Sequence, residues 1–231
     1  MVKRKTLIIL GSSSGIAREL IKKLKYKYKI ISFYNNNKVK INKVVSYKLN
    51  FNSKDDEIES KFKKIIEKNS KFIILNFASI KIDKISYYIN KGEIEKTFNI
   101  NTFAFLRIIQ EFIPKMLREK WGRVINISSV GGLKGDKGTL LYSSSKNASA
   151  SMMNVMSQEY GKFNMTFNTL KLGNFNYGLF KKLNLTIKKN IINKIPSKKT
   201  GKIINIINAI EFLIESDYVN GSSINIDGGM N

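Results

Sequence analysis

The 231-residue sequence predicts an α/β, doubly wound fold, in which a seven-stranded, mostly parallel sheet has helices on both faces. Two observations lead to this prediction. Short apolar runs alternate with segments of helical period, which is typical of a parallel sheet covered by helices. No low-complexity linker or internal repeat divides the chain, so a single domain over residues 1–231 is the simplest organisation for this length.

Seven short apolar runs are interpreted as buried strands. They are Thr6–Leu10, Ile30–Tyr34, Val44–Leu49, Phe72–Phe77, Arg123–Ser128, Thr166–Leu172 and Ser223–Ile226. Between these runs, apolar residues at i, i+3, i+4 spacing predict helices. The apolar positions are Ile58, Phe62, Ile65 and Ile66 in one segment, and Phe98, Phe105, Ile108, Ile109 and Phe112 in another. Further helices are predicted from near Arg18, over Tyr142–Gly161 and over Lys202–Glu215.

The composition excludes several kinds of chemistry. The chain has no cysteine, which excludes disulfides, a thiolate nucleophile and cysteine-bound metal. It has no histidine, which excludes Ser-His-Asp hydrolysis and histidine-bound zinc. The carboxylates of Asp55, Asp56 and Glu57 are expected to begin a helix rather than to bind a metal, so no metal site is predicted. Acid–base chemistry must therefore come from tyrosine, lysine or carboxylates.

The 41 basic and 17 acidic residues give the chain a formal charge of +24. Most of the basic residues are lysines, which we interpret mainly as a solvated basic surface. An acidic partner or substrate is the alternative, because such a field speeds the association of anions. Nucleic-acid binding has no motif in its support. The apolar run after the basic start ends at Gly11, too early for a signal peptide, and no stretch approaches a membrane span. We expect a cytoplasmic protein.

The first predicted strand leads directly into Gly11-Ser12-Ser13-Ser14-Gly15-Ile16-Ala17 and then a helix. Glycines at such a turn let the backbone approach a pyrophosphate at the positive end of the helix. The spacing differs from the G-x-G-x-x-G pattern, and a serine-rich turn alone would explain the run about as well. Its position after the first strand of an alternating α/β chain favours dinucleotide binding.

Tyr142 and Lys146 are four residues apart on a predicted helix, so the two side chains share one face. A free tyrosine titrates near pH 10. A positive charge about 4 Å away supplies about 4 kcal/mol at an effective dielectric near 20, which is about enough to bring the pKa of the phenol near neutrality. Taken alone, the pair is usually a surface feature.

Several motifs occur together in an order and spacing that resemble the short-chain dehydrogenase/reductase family, whose members have a Rossmann fold. They are Gly11 with Gly15, Asn76-Phe77-Ala78-Ser79, Asn101, Ser128-Ser129, and Tyr142 with Lys146. The resemblance covers essentially the whole chain, down to the final segment 220–230. Within the family, Ile80-Lys81-Ile82-Asp83-Lys84 and the run 121–129 are most similar to beta-ketoacyl-[acyl-carrier-protein] reductases.

The resemblance implies a catalytic role for four residues. Tyr142 would donate a proton to a substrate carbonyl oxygen while a nicotinamide delivers hydride to the carbon. Ser129 would hydrogen-bond the same oxygen. Lys146 would bind the nicotinamide ribose and lower the pKa of Tyr142, and Asn101 would place a water that restores the proton. Each side chain also has a purely structural alternative, such as backbone capping by Asn101 within its helix.

The resemblance also implies a set of cofactor-binding residues. They are Gly11, Ser13, Ser14, Gly15, Ile16, Asn35, Asn50, Phe51, Asn76, Phe77, Ala78, Tyr142, Lys146, Gly173 and Phe175. NADP(H) is favoured over NAD(H), because the run 34–38 has no carboxylate to repel a 2′-phosphate. Many NADP-using relatives have a basic residue where this chain has Ser14, and Lys38 is a candidate to compensate.

Some positions depart from the family pattern. Phe77 and Ser79 replace an Asn and a Gly, and Tyr177 stands where a threonine usually steadies the nicotinamide. The segment 174–200 is expected to be a substrate lid, and it is unusually basic and bulky.

Three functions follow as hypotheses. The first is an NADPH-dependent ketoreductase acting on a beta-ketoacyl group carried by acyl carrier protein in fatty acid synthesis, with Lys120, Arg123 and Lys162 as docking charges by family position. The second is a reductase of another small carbonyl compound, such as a sugar or a secondary metabolite. The third is a non-catalytic regulator that binds NADP or nucleic acid. Family members pair two long helices, here near Glu93–Arg118 and Tyr142–Gly161, so a homodimer or homotetramer is also expected.

Overall fold

The computed structural model describes residues 4–53, 55–68, 71–132 and 135–230. Seven strands are formed within these residues: β1 (Thr6–Leu10), β2 (Lys29–Tyr34), β3 (Val44–Lys48), β4 (Phe72–Asn76), β5 (Gly122–Ser129), β6 (Met165–Leu172) and β7 (Ser223–Ile226). They make one sheet in the order β3-β2-β1-β4-β5-β6-β7, and all six pairings are parallel. The predicted fold class is therefore confirmed, and each strand lies within a residue or so of its predicted bounds.

The described residues also form eight α-helices: α1 (Gly15–Leu24), α2 (Asp55–Lys68), α3 (Lys91–Phe98), α4 (Ala104–Glu119), α5 (Leu140–Tyr160), α6 (Gly178–Lys182), α7 (Leu185–Lys194) and α8 (Ile203–Glu215). Buried apolar residues of α1 and α8 pack on one face of the sheet, and those of α2, α4 and α5 pack on the other. Successive side chains of β1 pack into opposite layers: Leu7 and Ile9 belong to one core, and Ile8 and Leu10 belong to the other.

Helix α1 begins three residues earlier than the sequence predicts. Ser14 is its N-cap, and the Ser14 side chain accepts a hydrogen bond from the backbone N–H of Ala17 at 3.1 Å. No acidic residue occupies the first turn. The positive end of α1 therefore lies directly at the glycine turn that follows β1.

The long helix predicted near Glu93–Arg118 is interrupted. Helices α3 and α4 are joined by a π-helical turn over Asn99–Phe103. Its wider turn holds Asn101 fully buried. Such turns are frequent at functional sites.

Two kinds of feature are absent from the described residues. Within them, no helix is long and apolar enough to span a membrane. They hold no cluster of three acidic side chains that could bind a metal ion, although the side chains of residues 55–57 lie outside what the structure describes.

Candidate active site

The candidate site lies at the carboxyl edge of the sheet, where β1 and β4 are neighbours. The chain winds outward from this pair in both directions, to β2 and β3 on one side and to β5, β6 and β7 on the other. Crevices at such a topological switch point are where open α/β sheets bind ligands. The segments that follow β1, β4, β5 and β6 all begin at this edge.

The turn after β1 is shaped by two glycines. Gly11 has a φ of +73°, and a Cβ there would lie 2.4 Å from the backbone nitrogen of Ala78. At Gly15, a Cβ would lie 3.1 Å from the backbone nitrogen of Gly178. Gly11 thus lets the β1–α1 turn pass close to the end of β4, where no side chain would fit, and Gly15 leaves the tight approach to the start of α6 unstrained.

Two clefts of about 320 Å³ each lie on either side of this turn. The first, here called the distal cleft, is lined by predicted cofactor residues that follow β1, β2, β3 and β4: Gly11, Ser13, Ser14, Asn35, Phe51, Phe77 and Ala78. The second, here called the catalytic cleft, is lined by Ser14, Gly15, Ile16, Phe77, Ser129, Tyr142, Lys146, Gly173 and Phe175, among others. Ser14, Phe77 and Ser79 line both, so the two clefts are continuous.

The arrangement fits an extended dinucleotide cofactor. The turn between the clefts presents the start of α1, which carries no acidic residue that would repel a pyrophosphate. At the far end, the carboxamide side chain of Asn35 and the ring of Phe51 are available to a ribose and a base. At the near end, Gly173 approaches β7 so closely that a Cβ would lie 2.7 Å from the Cα of Asp227, which keeps the wall of the catalytic cleft free of a side chain.

Ser129 and Tyr142 come together in the catalytic cleft from different elements. Ser129 is the last residue of β5, and Tyr142 lies in the first turn of α5. Burial raises the pKa of the Tyr142 phenol, a hydrogen bond with Ser129 opposes this rise, and the charge of Asp83 adds to it. The lowering that the sequence analysis expects from Lys146 is therefore absent. The phenol keeps its proton at neutral pH.

Lys146 is buried one turn further along α5, with 2% of its surface exposed. Its ammonium donates a hydrogen bond of 2.9 Å to the carbonyl oxygen of Ile127 in β5. Burial lowers the pKa of Lys146 to about 8. The partner of the ammonium is thus a backbone carbonyl rather than a carboxylate. Lys146 therefore gives the floor of the cleft a group that can exchange a proton near neutral pH.

Asn101 does not line either cleft. Its side chain accepts a hydrogen bond from the backbone N–H of Ile80 at 2.8 Å, and donates to the carbonyl of Ile80 and to the hydroxyl of Ser145, each at 2.9 Å. Ser145 is the residue before Lys146 on α5. Asn101 therefore ties the segment after β4 to the helix that holds Tyr142 and Lys146, rather than capping backbone within its own helix.

Asn76 and Asn50, the other two predicted cofactor residues, also lie outside the linings of the clefts. Asn76 is fully buried, accepts from the backbone N–H of Ala78 at 3.1 Å, and donates to Asn126 at 3.3 Å. Asn50 is exposed and accepts from the backbone N–H of Asn52. Asn76 shapes the cofactor-side wall through Ala78, whereas nothing described connects Asn50 to a ligand.

The structure adds lining residues that the sequence analysis does not assign to the site. Ile100 lines the distal cleft, and Ile127 and Phe180 line the catalytic cleft. Ile100 precedes Asn101, and Phe180 lies in the predicted lid, so position in the chain is the only signal for either. Their apolar side chains give no chemical signature in a sequence.

Arg123 is wrongly placed among the docking charges by the sequence analysis. It is 3% exposed, and its guanidinium donates to the carbonyl of Ile214 at the end of α8 and to the carbonyl and side chain of Asn164. Burial lowers the pKa of Arg123. As the second residue of a central strand it ties β5 to α8, while Lys120 and Lys162 remain exposed.

The parallel sheet, the glycine turn and the paired clefts define a dinucleotide-binding oxidoreductase. A model of the family described as short chain dehydrogenase matches residues 5–188, and the chain belongs to this family.

Relatives of known name match along nearly the whole chain. The 3-oxoacyl-[acyl-carrier-protein] reductase FabG of Buchnera aphidicola subsp. Schizaphis graminum is 30% identical over 99% of this chain and 98% of that protein. The reductase of the same name from Rickettsia conorii is 31% identical over 98% and 96%. Among solved structures, ElxO with NADP bound superposes with a TM-score of 0.85 at 20% identity, covering 98% of both chains. This last likeness shows the fold.

Proposed function

We propose that the protein catalyses the NADPH-dependent reduction of a beta-ketoacyl group on acyl carrier protein to the secondary alcohol, a step of fatty acid synthesis. The observation that carries this proposal is the meeting of Ser129, Tyr142 and Lys146 in one cleft next to a dinucleotide-shaped groove. The two relatives named as 3-oxoacyl-[acyl-carrier-protein] reductases support the choice of substrate.

The raised pKa of Tyr142 suits the reductive direction. A phenol that keeps its proton at neutral pH acts as a general acid toward a ketone oxygen, because that oxygen gains negative charge as the carbon is reduced. Ser129 donates a second hydrogen bond to the same oxygen and holds the ketone in place. The two hydroxyls are close enough for Ser129 to lower the pKa of Tyr142 and they line the same cleft, so a single carbonyl oxygen placed beside both is within reach of each.

Lys146 supplies the proton that Tyr142 loses. With a pKa of about 8, its ammonium is mostly charged at neutral pH yet gives up a proton far more readily than an ordinary lysine. Asn101 contributes by holding Ser145 and Ile80, and thus the position of α5, since its side-chain atoms already bond to protein groups.

The groove would hold the cofactor through the backbone at Gly11 and Gly15, the side chains of Ser13 and Asn35, and Lys146 at the nicotinamide end. When bound there, the nicotinamide supplies the hydride. A preference for NADP(H) over NAD(H) is supported by the absence of a carboxylate at residues 35–37, which line the distal cleft.

The proposed partner is an acidic carrier protein, and the proposed assembly is a homo-oligomer. Lys120 and Lys162 are exposed and remain candidate docking charges. On α5, Val155 is 56% exposed while its neighbours Met153 and Met156 belong to the core. An exposed apolar residue on this helix supports pairing of the long helices, which light scattering of the purified protein measures directly.

The test is NADPH consumption with acetoacetyl-acyl carrier protein, with Tyr142→Phe as the matched variant. We expect turnover by the wild type and a loss of 10²–10⁴-fold in kcat for the variant, because one general acid has been removed. NADPH binding by the variant should be unchanged.

A second candidate substrate class is a free small carbonyl compound, favoured by the aromatic side chains of Tyr177 and Phe180 that narrow the catalytic cleft. Turnover of free ketones together with none on the carrier-linked substrate would replace the first proposal with this one.

A further inference from the structure

A third cavity, of about 390 Å³, lies against the outer side of the Gly15 turn. Three segments of the chain wall it: the first two turns of α1, residues 39–41 after β2, and the start of the predicted lid. Gly15, Tyr177 and Gly178 line both this cavity and the catalytic cleft. The cavity is therefore a side chamber of the ligand groove.

The side chamber is strongly positive. Its lining includes Arg18, Lys22, Lys40 and Lys181, with Glu19 as the single acidic side chain. Glu19 is already engaged, because its carboxylate forms an ion pair of 2.6 Å with Lys22. Three cations are left facing the chamber without a carboxylate in its lining to neutralise them.

The surrounding sequence keeps acidic groups away from the chamber. Glu19 is the only acidic residue among residues 1–54, and the segment 174–200 contains seven lysines and no acidic residue. Glu19, Lys22 and Arg18 come from α1, Lys40 from the loop after β2, and Lys181 from α6, so every wall of the chamber contributes a positive charge.

Arg18 has an unused donor at this place. Its Nε atom is buried and has no hydrogen-bond partner among the residues described. Buried donors in folded proteins are nearly always satisfied, so an orphan of this kind calls for a partner. Arg18 lies one turn after the cap residue Ser14, and helical side chains lean toward the N-terminus of their helix. The guanidinium is thus carried back toward the Gly15 turn.

We propose that Arg18, Lys40 and Lys181 form a binding site for a phosphate group of the ligand that occupies the neighbouring clefts. A guanidinium fork bonds a phosphate through two parallel N–H groups, and lysines add point charges around it. The inference rests on the proposed function. Because the chamber adjoins the catalytic cleft and shares no lining residue with the distal cleft, the phosphate expected there is that of the phosphopantetheine arm of a carrier-linked substrate, and the 2′-phosphate of NADP is the alternative source that the experiment distinguishes.

The experiment measures dissociation constants by calorimetry for two pairs of ligands that differ by one phosphate. Adenosine 2′,5′-bisphosphate against AMP tests the cofactor source, and 4′-phosphopantetheine against pantetheine tests the substrate source. In Arg18→Gln, and in the double variant Lys40→Gln/Lys181→Gln, we expect the Kd of the phosphorylated member of one pair to rise at least tenfold. The Kd of its partner should change less than twofold, and the pair that responds identifies the source.

Controls separate recognition from folding and from general charge. Lys23→Gln/Lys182→Gln removes two exposed lysines from the same two helices outside the chamber, and should leave every Kd within twofold. Arg18→Lys should recover part of the loss. Melting temperatures of the ligand-free variants report any misfolding.

Two outcomes would overturn the site: no response of either pair to Arg18→Gln, or an equal response from both members of a pair. The proposed reductase activity is tested separately, by turnover of acetoacetyl-acyl carrier protein by the wild type.

Discussion

The floor of the catalytic cleft and the segment above it are built in opposite ways. Lys146 and the residues around it belong to a buried polar network in which Asn76, Asn126 and Ser149 are linked by hydrogen bonds of 3.1–3.3 Å between β4, β5 and α5. The segment 174–200 is anchored near its ends, by the buried Phe175 and Ile195. Helix α7, between these anchors, has no buried residue.

We expect the buried floor to determine the reaction and the exposed segment 174–200 to determine the substrate. On the floor, Asn76, Asn126 and Lys146 also hold strands and a helix in place, so the geometry of the cleft is fixed together with the fold. On the lid, the exposed side chains have few packing partners to satisfy, and Leu185 is 76% exposed. Substitutions there can change the ligand that is accepted without disturbing the sheet.

The sharpest way to test this contrast is to remove one asparagine from each region. Asn101→Leu leaves both the N–H and the carbonyl of Ile80 without their partner, and each such buried group costs about 1–3 kcal/mol. We expect the free energy of unfolding to fall by about 3 kcal/mol. Asn184→Ala removes only the exposed N-cap of α7, a loss of about 1 kcal/mol or less. Urea denaturation of both variants measures the difference, and equal losses would contradict the division into floor and lid.

A second test asks whether the buried charge of Lys146, which the proposed reaction needs, lowers the free energy of unfolding. Lys146→Met removes a buried charge and keeps a side chain of similar length. At pH 7 we expect the free energy of unfolding to rise by about 1–2 kcal/mol while reductase activity is lost, because burying the ammonium costs more than its bond to Ile127 returns.

The pH dependence of stability checks the cause. The pKa of Lys146 is about 8 in the folded protein and about 10.4 in the unfolded chain. Between these values the unfolded chain binds more protons, so the wild type gains up to about 3 kcal/mol as the pH rises from 8 to 10.4. The advantage of the Met variant should shrink over that range. A constant advantage would mean that packing, rather than charge, is responsible.

The smallest effects are expected on the lid. Lys188→Gln/Lys189→Gln should change the free energy of unfolding by less than about 0.5 kcal/mol, since Lys189 is exposed and the half-buried Lys188 makes only one exposed hydrogen bond, of 2.8 Å, to the carbonyl oxygen of Lys181. The apparent KM for a carrier-linked substrate should rise about three- to tenfold through weaker electrostatic association, with kcat unchanged. Lys63→Gln/Lys64→Gln on α2 is the control with the same loss of charge, and an equal rise in KM there would assign the effect to net charge.

The sequence predicted the sheet closely because strand–helix alternation and apolar periodicity are direct consequences of burial. Thr6–Leu10 and Ser223–Ile226 agree residue for residue with β1 and β7. The same reasoning about burial excludes Arg123 as a docking charge for a carrier protein. The residue lies in a predicted central strand, and such strands of a parallel sheet are buried on both faces, so an exposed charge there was inconsistent with the fold.

The site was predicted less completely, because some of its properties depend on distances that spacing does not contain. The i, i+4 relation of Tyr142 and Lys146 places them on one face of α5, but it does not reveal that Ile127 takes the ammonium or that burial dominates the pKa of the phenol. The π-helical turn at Asn99–Phe103 likewise has no proline or glycine to mark it.

The buried amine of Lys146 also has a chemical consequence. At pH 7 about a tenth of its molecules are uncharged, given a pKa of about 8, against fewer than about one in a thousand for an ordinary lysine. The neutral amine is the nucleophilic form, and Lys146 lines an open cleft. In a chain with dozens of lysines, this one combines a raised fraction of neutral amine with a place in the ligand cleft, so a small aldehyde that enters the cleft meets an amine in its nucleophilic form.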